Sequence, residues 1–320
     1  LTHASDDSST QASMTAGRLD RRGLGILLVI TGSLSLTWVD SSAKWLLLHG
    51  LDAGQVIFIR FLLPCIVLSI VFLPRRGFGI LRTKSPKIAF ARAMCMIATT
   101  FFNFMALRYL PMTITGAIAF TSPLILCLLS GVALGERIDW QRWIAVIAGF
   151  IGVLIIISPD SVPLHPAMLY SVGMAVALAF YAIFTRKLAG VDSNVTQQFH
   201  ASFAGLLFSL PFAFQEWTWP QGTWSQVALD WFFCALIGSA GLFGHTLYSA
   251  GHKFAPATTL APFTYSQLIF MALVSWAVFQ QGPDVNFFVG LPILVGSGLF
   301  IWYREVRIGT RMRPAARPPR

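Results

Sequence analysis

Ten stretches of mostly apolar residues recur along the chain, at 24–46, 55–73, 88–107, 113–134, 140–158, 166–186, 195–214, 228–250, 257–279 and 286–303. A helix of about 20 such residues crosses the hydrocarbon core of a bilayer. No soluble fold could bury so much apolar surface in so regular a series. Hydrophobic residues make up 55% and charged residues 11% of the 320, against about 25% charged in an ordinary soluble domain. Mean hydropathy is +0.68. The sequence therefore predicts an all-α integral membrane protein with ten transmembrane helices and the lipid bilayer as its main partner. The connections are too short to form a soluble domain or an active site outside the membrane.

The charge that remains sits between the apolar runs, which sets orientation. Nineteen of the 23 Lys and Arg fall on the side of the N-terminus, with Lys44 and Arg108 opposite and Arg60 and Arg92 inside spans. Cytoplasmic loops hold the excess of Lys and Arg, so both termini are expected in the cytoplasm and the protein in the inner (plasma) membrane. The net charge of +10 is not arranged in the helix-face stripes of a nucleic-acid binder, and no nucleic-acid partner is expected. Residues 1–23 are small, polar and basic and read as a disordered cytoplasmic segment. The run from Leu24 is too long for a secretory signal and reads as an uncleaved first span. Residues 304–320 read as a basic cytoplasmic tail. The four cysteines show no metal or disulfide spacing. They read as packing residues, and neither metal nor cofactor is expected.

Within the fourth run, small polar residues and Pro123 interrupt an apolar helix that ends in Gly135-Glu136-Arg137. The pattern returns about 145 residues later. Pro111-Met112-Thr113 then falls on Pro256-Ala257-Thr258, and Phe120-Thr121 on Tyr265-Ser266. Upstream the offset is near 143, placing Trp38 on Tyr181 and Lys44 on Lys187. Five spans per half is an odd number, so the second half would cross the membrane upside down. Inverted repeats of this kind build transporters with a midplane site and alternating access.

The segment "ALRYLPMTITGAIAFTSPLILCLLSGVALGERIDWQRWIAVIAGFIGVLIIISP" resembles the EamA-type repeat of the drug/metabolite transporter superfamily. The resemblance rests on its mid-span proline, Leu134-Gly135-Glu136, an aromatic start to the next span and the closing "GFIGVLIII". The second half is similar more loosely, with Gln280-Gln281 in place of the Gly-Glu pair. The resemblance covers 24–303 and implies two five-helix repeats, 24–158 and 166–303, around a central cavity. Spans 1–4 and 6–9 would line it, with 5 and 10 peripheral. In layout the chain is similar to bacterial amino-acid exporters.

The residues themselves point the same way. Pro123 and Pro262 each lack a backbone donor and are expected to kink their helices, freeing carbonyls that must face neighbouring helices or cavity water. Gly116, Ala117, Ala119, Thr121 and Ser122 allow close helix approach. An ionisable group at bilayer depth costs a few kcal/mol, so each calls for a reason. Asp40 and Arg60 fall at matching depths. They read either as an ion pair locking spans 1 and 2 or as cavity groups for a charged substrate or a proton. Asn103 sits at similar depth. Arg92 is placed near a span end, where it would snorkel to the interface, and Glu136 where it would pair with Arg137 or Arg142. His200 and His245 share a depth and read as packing residues or as a cytoplasmic gate. Trp38, Asp40, Arg60, Asn103, Thr121, Ser122, Tyr181, Tyr248, Tyr265 and Gln267 are the cavity candidates.

An enzyme is not expected. "VGSG" at 295–298 lacks the first glycine of a membrane serine nucleophile, and no His-Glu-x-x-His occurs. The expected function is export of small metabolites, amino acids first, by a monomer with broad specificity. A nucleotide-sugar or phosphorylated-metabolite exchanger would want several basic residues on the cavity. A small-multidrug-type exporter would want a deep acid in the first span. Movement down a gradient or by exchange is the first expectation for coupling, and proton movement through Asp40 the second.

Overall fold

The computed structural model describes residues 4–77, 82–134, 140–158, 165–188, 191–255 and 257–311. Every regular element among them is a helix. In chain order they are α1 (Ala4–Leu48), α2 (Ala53–Arg76), α3 (Pro86–Leu107), α4 (Met112–Ala119), α5 (Ser122–Leu134) and α6 (Trp140–Ile157). There follow α7 (Met168–Leu188), α8 (Asn194–Ala213), α9 (Trp224–Phe254), α10 (Ala257–Thr264), α11 (Ser266–Phe279) and α12 (Val285–Arg311).

Among the described residues, seven stretches are long and apolar enough to cross a membrane: Arg22–Leu48, Ala53–Val71, Pro86–Leu107, Met112–Leu129, Met168–Thr185, Trp224–Phe254 and Val285–Arg304. Of the other expected spans, α6 holds an apolar stretch over Trp143–Ile157 and α11 one over Ser266–Phe279 among the described residues. The first two turns of α8 carry Gln197, Gln198 and His200, which dilute its apolar character.

Two of the expected spans are broken helices of the same anatomy. The α4 helix stops at Ala119, Phe120 leaves helical geometry at φ −72°, ψ 1°, and α5 restarts at Ser122. Pro123 thus lies in the first turn of α5, where a missing N–H costs nothing, and the break lies just before it. In the second half α10 ends at Thr264, Tyr265 forms the junction and α11 starts at Ser266. There the break follows Pro262, whose position inside α10 weakens its ladder. The two junctions meet: the rings of Phe120 and Tyr265 lie 5.4 Å apart, and α4 packs against α11.

The main packing partners are α1 with α9, α6 with α12, α3 with α7, and α2 with α8. Close backbone approach explains two of these. A Cβ on Gly32 of α1 would lie 3.1 Å from the Gly244 carbonyl oxygen of α9, and one on Gly290 of α12 would lie 2.4 Å from that of Gly152 on α6. One apolar cluster joins α1, α2, α3 and α9 around Phe61, Phe104 and Ile237. A second joins α4, α5, α6, α11 and α12 around Leu124, Leu268 and Leu294.

Candidate functional site

Among the described residues three cations are buried between these helices, and their surroundings differ. On α1, Lys44 is 2% exposed. Its Nζ donates to the Leu110 carbonyl and to Gln281 Oε1, both at 2.8 Å, and lies 5.4 Å from the centre of the Phe279 ring. It ties α1 to the α3–α4 turn and to the end of α11. On α3, Arg92 donates from Nε to Thr185 Oγ1 at 2.9 Å, and from its two terminal nitrogens to the Gln197 carbonyl at 3.0 Å and the Tyr181 hydroxyl at 2.6 Å. Its guanidinium also stacks 4.6 Å from the Tyr181 ring centre. It joins α3 to α7 and α8. The expectation that Arg92 snorkels to the interface is corrected by this: Thr185, Gln197 and Tyr181 give it acceptors inside the protein, so it has no need to leave.

Arg60 on α2 is different. It is 9% exposed, lies 4.7 Å over the ring of its neighbour Phe61, and makes no hydrogen bond among the described residues. Its Nε is fully enclosed without a partner. Asp40 on α1 is close enough for their charges to interact, but no direct ion pair forms between them. The carboxylate is held instead by Asn103 on α3, whose Nδ2 donates to Asp40 Oδ1 at 2.7 Å. Asn103 Oδ1 is left buried and unpartnered. The expected lock between the first two spans is therefore an Asp40–Asn103 bond between the first and third.

Around this centre the structure gathers several of the other candidates. Tyr181 on α7 lies within electrostatic reach of Arg60 and of Tyr248 on α9. His245 on α9 lies within reach of Arg60 and Arg92, and its Nε2 is buried without a partner. His200 on α8 also has an unpartnered Nε2 and meets the Phe199 ring edge-on. No hydrogen bond or ring contact joins the two histidines among the described residues. Trp38 packs half-buried against the larger apolar cluster.

The remaining candidates lie at the helix junctions. Thr121 Oγ1 donates to the Ile118 carbonyl at 2.6 Å, with Ser122 beside it. Gln267 stands just past the second junction and makes no hydrogen bond among the described residues. Tyr265 is turned toward α12, so that a Cβ on Gly298 would fall 1.7 Å from its hydroxyl. Glu136 and Arg137 lie outside the described residues, as does the side chain of Arg142.

Two features escaped the sequence reading. Asp230 on α9 is 1% exposed and accepts from Trp45 Nε1 at 2.9 Å; its place inside the eighth apolar run was the available signal. The other is a crevice of about 660 Å³ between α2, α3 and α8, lined by apolar side chains with Asp52 and Glu216 at its rim. None of the predicted site residues lines it. No group of three or more His, Cys, Asp or Glu able to hold a metal occurs among the described residues.

The chain matches the EamA-like transporter family over residues 23–158 and 165–303. An S-adenosylmethionine uptake transporter of Rickettsia bellii is 30% identical over 287 residues, covering 88% of this chain and 94% of its own. A riboflavin transporter of Vibrio cholerae is 28% identical, covering 91% and 97%. A solved structure superposes with a TM-score of 0.61 at 18% identity, over 88% of this chain and 98% of that one, a likeness of fold. The chain belongs to the EamA-like transporter family, within the drug/metabolite transporter superfamily. It is a membrane transporter of small molecules and not an enzyme.

Proposed function

We propose that this member of the EamA-like transporter family carries metabolites with an amino-acid head, through ten spans built as two inverted repeats that expose a central site alternately to the two faces. The packing supports the repeat. Replacing each helix by its counterpart in the other half turns the α1–α9 contact into α7–α3, and leaves α2–α8 and α6–α12 as they are. The two broken spans support it as well, since α4 and α10 begin at Met112 and Ala257 and end at Ala119 and Thr264. Both pairs are separated by the 145 residues at which the sequence repeats.

The observation that carries the substrate class is the free guanidinium of Arg60 beside the Asp40–Asn103 pair. Hydrogen bonds to a charged group are worth about 1.5–3 kcal/mol, so a buried cation that forgoes them in the empty protein has them in reserve for a ligand. A carboxylate would dock on Arg60, and an ammonium would turn to Asp40 and the spare Asn103 oxygen. Lys44 and Arg92 are already committed to protein acceptors, which leaves too little positive charge for a phosphate dianion. This disfavours a nucleotide-sugar or phosphorylated-metabolite exchanger. Asp40 is engaged by Asn103 and faces a cation, which disfavours a small-multidrug-type exporter.

S-adenosylmethionine has both an amino-acid head and a flat adenine, and one relative is named for its uptake. It is the first candidate, ahead of ordinary amino acids. The expectation of export gives way to exchange, which runs in either direction. Proteoliposomes preloaded with unlabelled S-adenosylmethionine should accumulate the labelled compound, with amino acids competing and Arg60→Gln cutting uptake about 10- to 100-fold. Uptake of riboflavin alone, indifferent to Arg60→Gln, would replace this reading with a neutral flat substrate.

A further inference from the structure

The crevice between α2, α3 and α8 takes no part in the site above, and its chemistry is of another kind. It lies where α8 stays packed on α2, with Phe212 close against Gly54, while its one hydrogen bond to α3 among the described residues is at its start. Near its start, the Gln197 carbonyl is bound by Arg92 of α3. At mid-length Gly205 lets the Phe61 ring of α2 lie against its backbone. Beyond that point a wedge-shaped crevice lies between α3 and α8, with Asp52 and Glu216 among its lining residues. Its volume of about 660 Å³ falls within the ~300–1,000 Å³ of small-molecule sites.

The walls are aromatic and thioether: Phe101, Phe102, Met94 and Met105 from α3, Phe208 and Phe212 from α8. Three of these phenylalanines are 40–48% exposed. No lysine or arginine lines the wedge, and both charged groups at its rim are acids. Asp52 gives only Oδ2 to the cap of α2, accepting from Gly54 N at 2.7 Å. Its Oδ1 is spare, and Glu216 is exposed without a hydrogen-bond partner among the described residues.

The rim belongs to a wider acidic end. Gln55 donates to the Thr218 carbonyl, Lys44 bridges Leu110 and Gln281, and the Tyr109 and His165 rings stack 5.4 Å apart. These contacts bring five connections together at one end of the bundle. Among the described residues there, Asp52, Glu216 and Asp284 reach the surface against Arg108 alone, in a chain of net charge +10. A cleft lined by one sign of charge concentrates ligands of the other.

We infer that the α2–α3–α8 wedge is a binding site for organic cations bearing a flat aromatic ring, separate from the Arg60 centre. The ring slides between the phenylalanines of α3 and α8, and methionine sulfur conforms to its edge. The positive group stays at the rim between Asp52 and Glu216. The cation also gains from the faces of the aromatic walls. The inference does not rest on which substrate Arg60 binds.

The test uses a matched pair of fluorescent probes, (1-naphthylmethyl)trimethylammonium and 1-naphthylmethanesulfonate, titrated against the purified full chain in detergent and followed by anisotropy. The ammonium should bind saturably and the sulfonate should neither bind nor compete. Asp52→Asn, which keeps a good helix cap, and Glu216→Gln should each weaken the ammonium about three- to fivefold, the scale of a partly exposed charge contact. Phe101→Ala with Phe212→Ala should weaken it further, and Arg60→Gln should leave it unchanged. Equal binding of the sulfonate would make the wedge a lipid-filled cleft and overturn the proposal. So would acid variants of unchanged affinity, or loss of binding in Arg60→Gln, which would place the probe at the other site.

Discussion

Arg92 and Arg60 are the same residue type, buried to the same degree on adjacent helices, and yet they do opposite things. Arg92 spends three hydrogen bonds and a stacked ring on α7 and α8. Arg60 spends none, and its Nε has no hydrogen-bond partner among the described residues. A protein gains rigidity from the first arrangement and loses stability by the second, because an unpaired buried charge keeps its desolvation cost. Strain of that kind is retained where a ligand relieves it. Burial by itself therefore does not mark a site in such a bundle; unspent hydrogen-bonding capacity does.

The comparison makes its largest prediction at Arg60. Arg60→Gln should cut exchange in proteoliposomes by about 10- to 100-fold, the value of the 1.5–3 kcal/mol carried by charge-assisted bonds to a carboxylate. The same variant should melt close to the parent protein, since it removes a cation that makes no hydrogen bond among the described residues and gives up only its attraction to Asp40. A large drop in melting temperature would show that Arg60 is structural after all and would erase the contrast.

Arg92→Gln should do the reverse. Three acceptors on two helices lose a cation, and stability should fall by about 3 kcal/mol, read as thermal unfolding of the purified protein. A melting temperature as high as the parent's would break the comparison from the other side. Lys44→Met is the milder case, at about 2 kcal/mol, because a methionine stem still fills the space beside Phe279. Pairing it with Gln281→Leu should cost less than the two changes summed, since each leaves the other's partner stranded.

The sequence carried the apolar runs, the prolines beside both helix breaks and the placing of Arg60 and Arg92 inside spans, because each is a local property of composition or spacing. Lys44, counted with the charges opposite the N-terminus, is buried instead. The sequence could not separate the cations. Depth along a span placed Arg92 near an interface, but its fate depended on Thr185, Tyr181 and Gln197 standing opposite, 89 to 105 residues away in the chain. Asp40 was matched with Arg60 by depth, whereas the rotation of α1 against α3 delivered it to Asn103. The wedge was out of reach for a similar reason. Its residues look like ordinary lipid-facing phenylalanines until the crevice that α2, α3 and α8 enclose is known.

The smallest expected effect concerns Tyr265, a cavity candidate by sequence. Its ring lies against Phe120 and its hydroxyl against the backbone of Gly298, with no hydrogen bond there among the described residues. The hydroxyl thus fills space at the meeting of the two helix breaks and α12, away from the unspent groups around Arg60. Tyr265→Phe should change exchange less than twofold and stability by no more than about 0.5 kcal/mol, in the range of a change that removes no satisfied bond. Gly298→Ala alone should be damaging, since its Cβ would fall 1.7 Å from that hydroxyl oxygen. Tyr265→Phe should rescue it in part by vacating the space, which a thermal melt of the single and double variants would measure. If Tyr265→Phe instead abolishes exchange while leaving the melt unchanged, its hydroxyl binds substrate, and the transport site extends from Arg60 to the helix breaks.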